Sequence, residues 1–197
     1  MHTLTTTKSA LKIAAASLKR GGIIVVPTDT AYGLAVDPFN KKAVNKLYAL
    51  KSRVSSKKIP WVAANVKQIN RFFKLSKIEK KLARQFWPGP LSLVLYPNHG
   101  QKKIAVRIPD HSVLRHLCHH ANGPLTATSA NISGQKETYS ITSVLKQFKN
   151  KKFKPDYIIN AGRLKKRKPS TIIELKDDKI IMHRPGPISM KTIKKYV

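Results

Sequence analysis

Short apolar runs, each stopped by proline, glycine or a polar turn, alternate along this chain with segments whose apolar residues recur at helical spacing. That alternation restricts the chain to an α/β architecture. Residues 9–20 place Leu11, Ile13, Ala14, Ala15 and Leu18 as a helix would, and Gly21-Gly22 ends it. Residues 22–26 then read as a short buried strand halted by Pro27, and residues 32–36 as a second strand. Asn40 caps a helix that reaches Leu50 with Ala43, Val44, Leu47 and Tyr48 on one side. A basic loop, 51–58, follows. Strands are expected at 59–64, 91–96 and 104–108, with a helix over 77–86 broken by Trp87-Pro88-Gly89-Pro90. A helix over 111–120 ends at Asn122-Gly123-Pro124, and a strand over 125–128 runs into the polar loop 129–134. After a helix near 140–148, strands remain at 157–160, 171–175 and 179–182, the last two joined at Asp177-Asp178. No repeat and no linker composition interrupts this order, so one domain is expected over residues 1–197.

Charge is the second constraint. Against 39 Lys+Arg stand 9 Asp+Glu, a formal net charge of +30. Such an excess suits a polyanionic partner. A lysine-rich proteome would also give it, since 30 of the basic residues are Lys and 9 are Arg. The single cysteine, Cys118, excludes a disulfide framework and any Cys-rich zinc or iron–sulfur site, and fits a reducing, cytoplasmic setting. Residues 1–4 lack the basic and apolar regions of an export signal, and no apolar run approaches the ~18 residues of a membrane span. A soluble, unexported protein is expected. Gly-x4-Gly-Lys-Ser/Thr, Gly-x-Gly-x-x-Gly and Gly-x-Ser-x-Gly are all missing, so three familiar phosphate-binding or hydrolase signatures do not apply.

Polar clusters nonetheless sit at the ends of expected elements, where open α/β sheets place ligands. Pro27-Thr28-Asp29-Thr30 follows the first strand, Lys51-Ser52-Arg53 ends a helix, and Ser129-Ala130-Asn131 follows a late strand. Each alone is compatible with ordinary turn chemistry. Together they offer hydroxyls and amides for a small polar ligand, and cations for phosphates. Arg107 lies inside the apolar run Ala105-Val106-Arg107-Ile108. Strand alternation read alone turns it to solvent, whereas burial would demand a carboxylate or phosphate partner. Arg184, after the last strand, carries the same ambiguity. His116, Cys118, His119 and His120 do not make a metal site, because no acidic ligand joins them and Cys118 points away from the His116/His120 pair. Two basic runs, Lys146 with Lys149, Lys151, Lys152 and Lys154, then Arg163 with Lys165, Lys166, Arg167 and Lys168, fit either a solvated face or a nucleic-acid backbone.

Read in order, seven motifs resemble one family: residues 19–34 (KRGGIIVVPTDTAYGL), Lys-x-Arg at 51–53, Trp-Pro-Gly-Pro-Leu-Ser at 87–92, Ala-Val-Arg-Ile-Pro at 105–109, Thr-Ser-Ala-Asn-Ile-Ser-Gly at 128–134, Pro-Ser-Thr-Ile at 169–172 and Arg-Pro-Gly at 184–186. They are similar to the YrdC-like L-threonylcarbamoyladenylate synthases, from about residue 9 to residue 188. The resemblance implies a single-domain α/β fold, a twisted mixed sheet flanked by helices around a positively charged cavity. Longer relatives carry a further C-terminal domain, so a chain of this length looks like the short form. The implied reaction joins L-threonine, bicarbonate and ATP into threonylcarbamoyl-AMP and pyrophosphate, for N6-threonylcarbamoyladenosine in tRNA.

The resemblance also assigns roles. Thr30, Arg107, Ala127 and Ser170 would hold threonine, with Arg107 taking its carboxylate. Lys51, Arg53, Lys57, Ser92, Ser129, Asn131 and Arg184 would hold ATP, with Lys51, Arg53 and Ser129 closest to the chemistry. Mg2+ would enter on the ATP phosphates, with no dedicated metal residues. Ser92 stands where relatives more often have Thr, and keeps the hydroxyl. tRNA, through the basic surface, and the proteins that transfer the threonylcarbamoyl group are the expected partners; no membrane is. The competing reading is a non-catalytic RNA-binding module on the same fold, and a third is hydrolysis of a related adenylate, for which a nucleophile–base pair is missing.

Overall fold

In the computed structural model, which describes residues 1–56, 58–99, 102–177 and 179–197, the chain forms eleven strands and seven helices among the described residues. In order these are β1 (His2–Leu4), α1 (Lys8–Lys19), β2 (Ile24–Pro27), β3 (Tyr32–Ala35), α2 (Lys41–Lys51), β4 (Trp61–Val62), α3 (Val66–Asn70), α4 (Lys77–Phe86) and β5 (Leu91–Leu95). There follow β6 (Ile104–Arg107), α5 (Ser112–Ala121), β7 (Leu125–Thr126), β8 (Thr128–Ser129), α6 (Ile141–Phe148), β9 (Tyr157–Ile159), β10 (Thr171–Lys176), β11 (Lys179–Arg184) and α7 (Met190–Lys194).

The expected helix signals act as capping chemistry dictates. Asn40 Oδ1 accepts from Ala43 N at 3.0 Å at the start of α2, and Gly21 takes φ 84° just beyond α1. Ser76 and Glu79 close a reciprocal capping box on α4. β1, α3 and α7 were not expected from periodicity. The expected strand 59–64 pairs only at Trp61–Val62, and Asp177 takes φ 49° at the last turn, while Asp178 lies outside the described residues.

The strands divide into two mixed sheets. One has the order β1-β9-β2-β3-β8, the other β11-β10-β5-β6-β4-β7. β2 shows why its sequence is continuously apolar: Ile24 and Val26 pack with Leu11, Leu18, Leu114 and Leu117 of α1 and α5, while Ile23, before the strand, and Val25 pack with Leu47, Val144 and Phe148 of α2 and α6. A strand buried on both faces loses the polar alternation of an exposed one. A third cluster places Leu82 of α4 and Ile193 of α7 against Leu91, Leu93, Val106 and Ile173 of the six-stranded sheet.

The expected strand 125–128 breaks at Ala127. Its first half, β7, pairs antiparallel with β4 in the six-stranded sheet, and its second half, β8, pairs antiparallel with β3 in the five-stranded one. The chain therefore steps from one sheet to the other at Ala127. Thr126 secures the step: its N–H donates to Val36 O and its Oγ1 accepts from Val36 N, both at 3.0 Å.

Candidate active site

A cavity of about 320 Å³ opens between the two sheets, within the size range of small-molecule sites. The five-stranded sheet supplies Thr30 from the β2–β3 turn and Ser129 from β8; the six-stranded sheet supplies Ser92 from β5 and Arg107 from β6. Ala127 at the crossing, Ser170 before β10, Arg184 at the end of β11 and Arg53 after α2 complete the set of expected residues on its wall. Eight residues scattered over more than 150 positions of sequence thus meet on one surface.

Arg107 corrects the alternation reading, which turned it to solvent. Its side chain is 10% exposed, and its Nη1 and Nη2 donate to Asp29 Oδ2 and Oδ1 at 2.7 and 2.8 Å. The face of β6 that bears Arg107 looks into the inter-sheet cavity, so the alternate side is not bulk water. Asp29 was unassigned among the expected site residues. Its signal was the buried cation itself, which needs an acid, but spacing could not say which of the nine acids that is.

The Thr28–Ala31 turn is held by one hydroxyl. Thr28 Oγ1 accepts from the N–H groups of Thr30 and Ala31, and donates to Ala31 O at 2.7 Å. The hydroxyls of Thr28 and Thr30 lie 3.0 Å apart, and Thr30 stands on the cavity wall. On the opposite wall, Ser92 and Ser170 hydroxyls lie 2.9 Å apart, and Arg184 donates from Nε to Ser170 O and from Nη2 to Ser170 Oγ. Burial, reinforced by the Arg107 charge, lowers the Arg184 pKa, yet a guanidinium stays charged at any working pH.

The resemblance faces Lys51 toward a triphosphate; in the structure its side chain is buried and its ammonium donates to the backbone carbonyls of Ser129 and, at 2.7 Å, Asn131, so that it fixes the 129–131 loop. Burial, aided by the nearby Arg53 charge, brings its pKa down to about 8. Lys51 and Asn131 line an adjoining cavity of about 360 Å³ that shares Arg53 and Ser129 with the first. There Asn131 Nδ2 donates to Gln135 O at 2.6 Å and to Ile132 O, while its buried Oδ1 has no hydrogen-bond partner. Lys57 lies outside the described residues.

Sequence reasoning passed over Lys58 and Glu137, which also line the main cavity; Glu137 is its one acidic lining residue among those described. Lys58 belonged to the basic loop and could have been suspected, whereas nothing in the spacing singles out Glu137. Cys118 is enclosed in the core with Sγ 3.6 Å from Val62 O, and burial pushes its thiol up to about 12. No helix is long and apolar enough to cross a membrane among the described residues.

Comparison with known proteins agrees with this architecture. A relative from Methanocaldococcus jannaschii is 34% identical over 192 residues, covering 94% of this chain and 90% of its own. The threonylcarbamoyl-AMP synthase of Marinobacter nauticus is 35% identical over 177 residues, 84% of this chain and 90% of the relative. The crystal structure of Pyrococcus abyssi Sua5 complexed with L-threonine superposes with a TM-score of 0.90 at 28% identity; it matches 100% of this chain, which spans 60% of that one. The Sua5/YciO/YrdC family model, described as "Telomere recombination", matches residues 16–186 and so takes in every strand but β1 and every wall of the cavity. By that match and these relatives, the chain belongs to the Sua5/YciO/YrdC family.

Proposed function

We propose that this chain is an L-threonylcarbamoyladenylate synthase, which makes threonylcarbamoyl-AMP and pyrophosphate from L-threonine, bicarbonate and ATP. One observation carries the reading: a single inter-sheet cavity gathers Thr30, Arg107, Ser170, Ser92, Ser129, Arg184 and Arg53, in a chain whose relatives bear that enzyme's name. The threonine amine adds to carbon dioxide with loss of a proton, or to bicarbonate with loss of water, to give a carbamate. A carbamate oxygen then attacks the α-phosphorus of ATP, and pyrophosphate leaves. The work is to neutralise and align anions, for which a wall of hydroxyls and guanidinium groups is suited and no covalent nucleophile is needed.

The roles follow from the donors left open. Arg107 has five N–H donors, of which Asp29 takes two, so the others serve the threonine carboxylate. The Arg184–Ser170–Ser92 chain, with Arg53, serves the adenylate phosphate. Asn131, on the adjoining cavity that shares Arg53 and Ser129, lies where the nucleotide would extend. Lys51 acts through the loop it fixes. Mg2+ would come in on the ATP phosphates, its hard-oxygen demand met chiefly by them.

The expected result is pyrophosphate release from Mg-ATP that requires both threonine and bicarbonate; release that needs neither, or none at all, overturns the reading. Arg107→Ala should raise the threonine KM far more than the ATP KM, and equal changes would sink its assignment. A nucleotidyltransferase of this kind works in the cytoplasm and hands a labile product to proteins that transfer the threonylcarbamoyl group to tRNA. We infer that the exposed run Arg163, Lys165, Lys166, Arg167 and Lys168 meets that tRNA. It is tethered by Leu164 N to Tyr139 O at 2.9 Å and leads straight into Pro169 and Ser170 on the cavity wall. Charge reversal of this run should weaken tRNA binding and flatten its salt dependence; binding that keeps its affinity and salt slope would refute the contact. Tight tRNA binding with no pyrophosphate release would favour an RNA-binding module, the alternative that the +30 charge supports.

A further inference from the structure

Asp29 and Arg107 come from different sheets. Asp29 lies in the turn between β2 and β3 of the five-stranded sheet, and Arg107 ends β6 of the six-stranded one. Their side chains are 6% and 10% exposed and meet through two charge-assisted hydrogen bonds of 2.7 and 2.8 Å. Arg107 lines the cavity. Asp29 stands behind it, on a turn whose backbone Thr28 Oγ1 fixes at three points. A guanidinium on a flexible stem is thereby held, before any ligand arrives, with its remaining N–H donors free of Asp29.

We propose that Asp29 is a positioning residue for the amino-acid carboxylate, acting through Arg107; this rests on the synthase reading above and deepens it. Two physical effects make the pair more than a strut. Without Asp29, Arg107 would be a buried cation with no counterion, and it would turn to whatever carboxylate or water it could reach. With Asp29, its orientation is fixed in advance, so the entropy of ordering that side chain is not lost when the amino acid binds. Because both terminal nitrogens are engaged, the incoming carboxylate meets a guanidinium that can neither rotate nor withdraw. The arrangement also fixes the distance between the carboxylate subsite and Thr30, since Asp29 and Thr30 are adjacent on one rigid turn.

The test is calorimetric titration of the full chain with L-threonine, and separately with Mg-ATP, for wild type, Asp29→Asn and Asp29→Glu. Asparagine keeps the shape but sets an NH2 against an Arg107 N–H, whereas glutamate keeps the charge on a longer stem. Threonine affinity should fall about tenfold or more in Asp29→Asn and less in Asp29→Glu, with ATP affinity held within about twofold. A strut with no part in binding would lower the melting temperature and leave the ratio of threonine to ATP affinity unchanged, and that outcome overturns the proposal. Tighter threonine binding in Asp29→Asn would make Asp29 a competitor for the guanidinium, and overturns it as well. If Asp29→Asn does not fold, Asp29→Glu decides: unchanged threonine affinity counts against positioning, and a selective loss supports it. Wild type that binds no threonine would overturn the synthase reading and this proposal with it; unchanged binding in the variants overturns the positioning role alone.

Discussion

Enclosing an ammonium against two backbone carbonyls carries a desolvation cost, and Lys51 bears it in order to hold Ser129 and Asn131 in place. Lys51→Met leaves both carbonyls without that donor, and should cost about 2 kcal/mol of unfolding free energy, measured by chemical denaturation. The pH dependence separates this from simple loss of packing. Lys51 has its pKa lowered from 10.5 to about 8 by burial and by Arg53, so between those values the unfolded chain holds the proton more firmly than the folded one. Stability from this group therefore rises as pH climbs from about 8 to 10.5, and its cost is constant below about 8. The gap between wild type and Lys51→Met should widen over that window; parallel curves would mean that Lys51 titrates as an ordinary lysine. The Lys-x-Arg spacing identified Lys51 as a site residue without revealing its target, because its partners lie 78 and 80 positions away. Arg107 was misread by alternation for a related reason: a period of two tells one face of a strand from the other, but not a cavity from solvent.

Elements, unlike side chains, were mostly legible, and those that were not are short. α1, α2, α4, α5 and α6 are long enough to show an apolar stripe, whereas β1, α3 and α7 span three to five residues, too few for a period to show even though Asn65 and Ser189 cap α3 and α7. The break at Ala127 could not be read either, since Leu125 to Ser129 is one continuous run until β4 and β3 claim its two halves. The β11–α7 junction shows how closely elements meet at the site. A Cβ on Gly186 would stand 2.4 Å from Thr171 N, 2.6 Å from Pro169 O and 2.7 Å from Ser170 C, all backbone. Gly186→Ala must displace the segment that presents Ser170, and should cost about 1–3 kcal/mol as well as the Arg184–Ser170 alignment. Gly123→Ala, where nothing lies within 4 Å, should stay within about 0.5 kcal/mol of wild type. Thermal melts of the pair check the contrast; equal effects would mean the approach at Gly186 relaxes freely.

Across the whole molecule, an excess of 30 positive charges works against compactness. The few acids are used closely: Glu174, 1% exposed, accepts from Lys103 at 2.6 Å and meets His183 Nε2 at 2.7 Å, as Asp29 meets Arg107. Screening should therefore help more than it harms. Raising NaCl from about 10 mM to about 1 M shortens the Debye length from roughly 30 Å to roughly 3 Å, and the melting temperature should rise by about 5 °C. A fall would show that the ion pairs outweigh the repulsion. The sheet order, finally, has a consequence for synthesis. β9 sits between β1 and β2, and Ile23 N–H finds its acceptor, the Asp156 carboxylate, 133 positions later. While a ribosome makes the intervening chain, roughly 7 to 27 s at the usual rate, β2 can pair with β3 on one side only. Its other edge stays open to any passing strand until residues 157–159 leave the exit tunnel, so the interval of greatest exposure to misassembly lasts as long as that synthesis.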